Sequence, residues 1–331
     1  MEATWRWALV TAIAPIAWGS NYFVTRHLLP PDEPLWGAVL RALPAGLLLL
    51  AVTRELPRGS WLWRSVVLGT LNVGAFFVLI YLSSQLLPTS VASTVMASSA
   101  GVLLLIAWPL LGERPRLLPA LGAALGLAGV ATMLSSGLGG APVDPRGVAV
   151  SLAAMTLSSF GFVLTRRWGG RVRVLSLTAW QLLAGALVVL PLAVVLSGPP
   201  PALDTDELIG FAYVSVVATA VAFAAWFAGL RRLPAASVGL IGLLNPVTGV
   251  LLGTVVAGEV FGAAQLVGTA LVLGGVVLGQ LSGRSASSTR RTSRSTSERR
   301  ARTRGAAGPR SPASTPPPRT RTPRPRRDRA R

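Results

Sequence analysis

The amino-acid sequence predicts an all-α membrane protein: ten transmembrane helices arranged as two inverted five-helix repeats, followed by a disordered C-terminal tail. Three observations predict it. Apolar stretches of bilayer length recur along the chain, the first half is echoed in the second at a fixed offset, and arginines fall in alternate loops.

The apolar stretches come first. Of the 331 residues, 51% are hydrophobic and 13% are charged, against about a quarter charged in an ordinary soluble domain. A spanning helix needs about 20 mostly apolar residues. Breaks at charge, proline and glycine clusters then give ten spans, near 7–25, 35–53, 62–82, 88–111, 117–135, 147–166, 175–196, 208–229, 234–257 and 262–281. The first span lacks the basic leader and small-residue cleavage site of a secretory signal, so it is read as a helix.

The echo lies at an offset of 146 residues, with no gaps. Leu87-Pro88 falls on Leu233-Pro234, Gly112-Glu113 on Gly258-Glu259, Gly122 on Gly268 and Gly129-Val130 on Gly275-Val276. Five helices per repeat is an odd number, so the copies enter the membrane in opposite directions, an arrangement that places a substrate site near the midplane between them. The chain divides into a first repeat over 1–135, a second over 136–283, and a tail over 284–331.

Arginine placement tests the count, because cytoplasmic loops are enriched in positive charge. With the N-terminus inside, the inner segments carry Arg6; Arg54, Arg58 and Arg64; Arg114 and Arg116; Arg166, Arg167, Arg171 and Arg173; and Arg231 and Arg232. The outer loops carry Arg26 and Arg146 with seven acids, among them Asp32, Asp144, Asp204 and Glu259. Both termini are therefore expected on the cytoplasmic side of the cell membrane.

The tail holds sixteen of the 31 arginines, with Ser, Thr and Pro between them and only Glu298 and Asp328 as acids. Such a segment cannot bury enough apolar area to offset its chain entropy and is expected to be disordered. It suits contact with anionic lipid. Specific nucleic-acid binding is not expected, because the tail has no aromatic residue for stacking and no folded module; any such contact is purely ionic.

Composition also removes chemistries. There is no cysteine, no lysine and a single histidine, His27, so thiolate metal sites, a lysine-bearing phosphate loop and a nucleophile–base pair are all missing. An enzyme is not expected, nor any cofactor.

Polar residues deep in apolar spans are the functional candidates, because a polar group in hydrocarbon must find a partner. Trp18, Asn21 and Tyr22 share one face of the first helix at spacings of three and four, just after Pro15, which loosens the turn. They either line a substrate cavity or form an outer aromatic belt with an interhelical amide bond. Arg41 lies about 9 Å into the second span at 1.5 Å per residue, beside Pro44. It either snorkels outward or lines the cavity as a cation for an anionic group. Asn72, Tyr81 and Gln85 of the third span and the adjacent Trp180 and Gln181 of the seventh complete the candidate lining, with interhelical bonding as the alternative.

In the ninth span Asn245 and Pro246 interrupt an apolar run, and proline there leaves an upstream carbonyl without its donor. The equivalent residues of the fourth span are Ser99 and Ala100. Glu113 and Glu259 are read as carboxylates that stabilise the N-terminal end of the next helix or as gating elements, one at each membrane surface. Gly122, Gly126 and Gly129 of the fifth span and Gly268, Gly275 and Gly279 of the tenth form small-residue faces that pack tightly within one chain or between two, which leaves a homodimer open.

Together these features resemble the EamA family of the drug/metabolite transporter superfamily, ten-helix proteins of two five-helix repeats. The resemblance spans about residues 8 to 281 and rests on Trp18-Gly19-Ser20-Asn21, on the run from Arg41 to Leu49, on Asn245-Pro246-Val247, and on the two Gly-Glu corners with the glycine-bearing helices after them. The family usually has a proline in the fourth helix too, where this chain has Ser99-Ala100. Membership implies alternating-access movement, often export, of a small metabolite such as an amino acid or related compound. The other reading is a membrane scaffold or sensor that acts through its basic tail and transports nothing.

Overall fold

The computed structural model describes residues 2–111, 117–133, 143–169, 172–233 and 235–278. Glu113, Gly279 and the tail lie outside the described residues. What is described is helical throughout, with no strand. The helices are α1 (Glu2–Leu28), α2 (Pro34–Thr53), α3 (Trp61–Leu86), α4 (Thr89–Leu110), α5 (Leu117–Met133), α6 (Pro145–Gly169), α7 (Val174–Leu196) and α8 (Thr205–Arg232). Then come α9, in segments Ala235–Gly242 and Leu244–Leu251 that run on through Leu252–Val256, and α10 (Ala263–Leu278). Among the described residues six of these, α2, α3, α4, α6, α7 and α8, are long and apolar enough by length and composition to cross a membrane.

Corners between helices follow from local chemistry. Pro34 opens α2 at a position where its missing N–H is no loss. At the other end Arg54 takes a left-handed φ of 53° and returns its N–H to the Leu50 carbonyl at 2.7 Å. α8 starts with a capping box in which Asp204 Oδ1 accepts from the Glu207 N–H at 2.8 Å and Glu207 Oε2 accepts from the Asp204 N–H at 2.9 Å.

Packing obeys the repeat. α2 lies on α7 and α4 on α9, each against its own counterpart, while α1 lies on α8 and α3 on α6, pairs that exchange when the halves exchange. The α5–α10 contact shows the inversion directly. A methyl added at Gly129 would stand 2.6 Å from the Gly268 carbonyl oxygen, and Gly275 lies against the Gly122 carbonyl. Residues later in α5 thus meet residues earlier in α10, so the two helices run antiparallel. Their small-residue faces are spent within one chain, where they let two backbones touch.

Two further features are duplicated. α3 widens into a π-helical turn at Thr70–Gly74 and α8 does so at Tyr213–Val221, and a shift of 146 places the first inside the second. The α2–α7 pair is stapled at both ends. Trp36 Nε1, near the start of α2, donates to the Gly198 carbonyl just past α7 at 3.3 Å, and Trp180 Nε1, near the start of α7, donates to the Glu55 carbonyl just past α2 at 2.6 Å. Between the staples the seam is filled by Ala38, Ala42, Ala45, Ala179 and Ala186, each 2% exposed or less.

The Gly-Glu corner after α9 departs from expectation. Gly258 is left-handed at φ 66°, which turns the chain so that Glu259 reaches the first turn of α4 rather than that of α10. The physical role, a carboxylate on orphan N–H groups, is as expected; the helix it serves belongs to the other repeat.

Candidate functional site

A cavity of about 420 Å³ lies between the repeats, within the usual size range of small-molecule sites. Its wall draws on eight helices: α1 supplies Trp18, Asn21 and Tyr22; α2 Arg41; α3 Phe76, Phe77 and Ile80; α4 Met96, Ala97, Ser99 and Leu103; α6 Ser158, Ser159 and Phe162; α8 Phe223 and Trp226; α9 Gly242, Leu243, Asn245 and Pro246; and α10 Val276. The α5 and α7 helices stand outside it.

Both fourth helices of the repeats break where they meet the cavity. α9 breaks at Leu243, whose N–H reaches back only three residues to the Leu240 carbonyl at 3.1 Å. The following segment then starts afresh, with Pro246 in a first turn that needs no N–H. α4 breaks at Ser98 without any proline. The Ser98 N–H and hydroxyl both turn to the Val95 carbonyl, at 3.1 and 2.7 Å, the local bonding by which serine competes with the helix. Ser99 and Asn245, equivalent in the two repeats, both line the cavity.

Among the described residues of this wall, Arg41 is the only formally charged one. Its Nε donates to Thr219 Oγ1 at 3.0 Å, and its guanidinium lies 4.0 Å over the Phe77 ring. The π-helical stretch of α8 makes the first contact workable: Thr219 satisfies its own hydroxyl proton on the Val214 carbonyl five residues back, at 2.7 Å, and is left to accept from Arg41. The ion pairs Arg146–Asp144 and Arg173–Glu55 lie elsewhere. Arg41 therefore lines the cavity with its guanidinium held against an aromatic ring.

Another part of the wall is aromatic. Trp18 meets Phe223 edge-on at 5.6 Å and Trp226 at 5.3 Å between ring centroids. The face of α1 that carries Trp18 is fixed by Ser20, whose Oγ is 2.5 Å from the Tyr213 hydroxyl. Asn21, at 3% exposure, lines this space, and neither its buried Oδ1 nor that of Asn245 has a protein partner.

The cavity thus gathers Trp18, Asn21, Tyr22, Arg41, Asn245 and Pro246 from the sequence candidates. It does not gather the others. Tyr81 donates to the Pro30 carbonyl, Gln85 Nε2 to the Thr25 carbonyl at 2.8 Å, and Trp180 to Glu55. Asn72 donates to Gln181 Oε1 at 2.7 Å and to Thr165 at 3.2 Å. These five side chains join helices to one another and are absent from the cavity wall. Pro15 and Pro44 are absent too, and α1 and α2 run through them without a break. Phe76, Phe77, Phe162, Phe223, Trp226, Ser158 and Ser159 were not among the sequence candidates. The one available signal was the spacing of Phe223 and Trp226, and of Ser158, Ser159 and Phe162, which puts each set on one face of its helix.

Comparison with known proteins agrees with this architecture. The model of the EamA-like transporter family matches residues 5–135 and again 145–279. The protein PecM of Dickeya dadantii is 36% identical over 270 residues, covering 81% of this chain and 90% of PecM. The uncharacterized inner membrane transporter YedA of Escherichia coli K12 is 30% identical, covering 80% of this chain and 87% of its own length. A probable amino-acid metabolite efflux pump of Salmonella typhimurium is 26% identical over 80% of this chain and 91% of that protein. A solved crystal structure superposes with a TM-score of 0.60 at 22% identity, covering 85% of this chain and 98% of the other, which speaks for the fold alone. On the double family match and the PecM likeness, this multi-pass membrane protein belongs to the EamA-like transporter family.

Proposed function

We propose that the protein is a secondary transporter that exports a small metabolite bearing an anionic group, an amino acid or related compound, across the cytoplasmic membrane by alternating access. The observation that carries the reading is Arg41: a buried-wall guanidinium, without a carboxylate among the cavity's described lining residues, facing an aromatic space between inverted repeats. A cation kept at that depth is costly unless it serves a ligand. The export direction and the amino-acid class draw on the Salmonella relative's name.

The physical sequence is short. A substrate anion enters from the side facing the cytoplasm, where the arginine distribution sets both termini, and pairs with Arg41 while its apolar part rests on Trp18, Phe223 and Trp226. Charge pairing removes the cost of the lone guanidinium, so the occupied cavity tolerates closure better than the empty one. The breaks at Ser98 and Leu243 give α4 and α9 separate halves that tilt independently, and Glu259 on α4 closes the end of the bundle opposite the N-terminus until the helices rock apart. Gradients drive the cycle, since the chain carries no nucleotide-binding element.

The test is flux in proteoliposomes loaded with a panel of radiolabelled amino acids and related acids. Arg41→Ala is expected to abolish movement of the accepted compound, with the protein still monodisperse in detergent, and Arg41→Lys to restore part of it. Flux unaltered by Arg41→Ala overturns the assignment.

A further inference from the structure

We infer that the same cavity contains a second subsite of opposite character, in which the side-chain oxygens of Asn21 and Asn245 and the main-chain carbonyl of Gly242 accept the ammonium group of a zwitterionic substrate. It rests on the transporter reading above and specifies which molecules that site distinguishes.

Two unpartnered amide oxygens in one wall, on buried Asn21 and half-buried Asn245, call for a donor. Asn21 is 3% exposed, and neither its Oδ1 nor that of Asn245 has a hydrogen-bond partner, although a buried carbonyl ordinarily finds one. Both residues line the cavity. Their backbones are neighbours: a methyl added at Gly19 would lie against the Asn245 carbonyl and 2.8 Å from Thr248 Cβ. The glycine therefore lets α1 and α9 approach closely beside Asn245. Gly242 adds the third oxygen. Its helical donor would be residue 246, which is proline and has no N–H, and Gly242 itself lines the cavity. Three acceptors suit the three N–H groups of an ammonium.

Charge decides between an ammonium and a bare alkali cation. The wall already carries Arg41 with no carboxylate beside it. A free cation would add a second positive charge to a water-poor space, whereas an ammonium tethered to its own carboxylate adds none overall. The pairing is then Arg41 with the carboxylate and the Asn21–Asn245–Gly242 oxygens with the ammonium. Trp18, Phe223 and Trp226 are left to an apolar or aromatic side chain.

The experiment uses the full chain, purified, and titrates three molecules of one shape: L-phenylalanine, 3-phenylpropionate, which lacks the amine, and phenethylamine, which lacks the acid. Affinity is read by calorimetry in sodium and in choline buffers. The expected result is that the wild type prefers phenylalanine to 3-phenylpropionate by at least about tenfold, about 1.4 kcal/mol, in either buffer. Asn21→Leu and Asn245→Leu should each erase that preference without weakening 3-phenylpropionate, a selective change that misfolding does not produce. Asn245→Asp should raise phenethylamine affinity, which keeps the inference open to failure if a leucine variant does not fold. Equal loss of phenylalanine and 3-phenylpropionate in both leucine variants overturns it, as does phenylalanine binding that needs sodium and loses that need in Asn245→Leu. If Arg41→Gln changes none of the three affinities, the anion reading of the cavity fails while the ammonium subsite is judged separately by the Asn variants. Binding of none of the three to the wild type overturns the subsite as assigned, while the transporter reading is judged by the flux panel.

Discussion

Glu259 and Ser90 join the two repeats at one end of the bundle. Glu259 Oε2 accepts from the Ser90 hydroxyl at 2.6 Å and from the Ser90 N–H at 3.0 Å, while Oε1 accepts from the Thr89 N–H at 2.5 Å. The carboxylate answers orphan donors at the start of α4, where a negative charge is also favoured by the helix dipole. Bonds of this charge-assisted kind are worth about 1.5–3 kcal/mol each against leaving the groups unmet. Glu259→Gln is expected to lower the unfolding midpoint in detergent modestly and Glu259→Ala more. The chain has no cysteine, so Ser93→Cys, at a fully buried position beside Gly249, reports opening cleanly. Maleimide should label it faster in the Glu259→Gln background; equal rates would show that the contact does not hold α4 to α9.

The α5–α10 crossing leaves no room for a side chain. Gly129→Val should cost at least about 1–3 kcal/mol through overpacking against Gly268 and Val272, seen as lost expression or a lowered midpoint. Gly126→Ala, where an added methyl meets only Ser98 Cβ at 3.7 Å, should be nearly neutral in the same assay.

Phe77 holds the Arg41 guanidinium at 4.0 Å. A partly desolvated cation–π contact of this type contributes about 0.5–2 kcal/mol, so Phe77→Leu should weaken binding of the transported anion several-fold, with far less effect than Arg41→Ala. Binding unchanged in Phe77→Leu would mean that Thr219 alone orients the arginine.

Topology follows from the arginine asymmetry. Single cysteines replacing Asp32 and Arg58 should react with an impermeant maleimide from opposite sides of the membrane, Asp32→Cys from outside intact cells. Removal of residues 284–331 should leave flux intact, because the described cavity lining runs from Trp18 to Val276. Loss of flux with the protein still inserted would favour a function that runs through the tail.

Helix number and repeat were legible because a bilayer imposes a length and a composition on every span, and because inversion leaves a charge signature in alternate loops. The glycine faces of α5 and α10 were legible for a similar reason: only close backbones need them. Within the cavity, Arg41, Asn21 and Asn245 stood out because a polar group costs most where the chain is most apolar. The same criterion also selected Asn72, Tyr81, Gln85 and Gln181, since a side chain satisfied by the next helix looks identical in sequence to one awaiting a ligand. Phe223, Trp226 and Phe162 could not be chosen, because an apolar ring facing lipid, a neighbouring helix or a cavity has the same hydropathy. The break in α4 left no comparable trace: Ser98 breaks that helix by bonding the backbone just before it, a route that needs no proline.

The tryptophan staples at the two ends of α2 and α7 tie these helices into a single rod, and Arg41 sits on it. Under the alternating access proposed above, a rod pinned top and bottom would be the post of a turnstile, keeping its place while the remaining helices swing around it. The charged end of a bound molecule would then keep one neighbour throughout passage, and transport would be the exchange of one doorway for another. Because that exchange is made by apolar surfaces sliding past one another, its speed should depend on the lipid and on the bulk of the panels more than on the charge held at the centre.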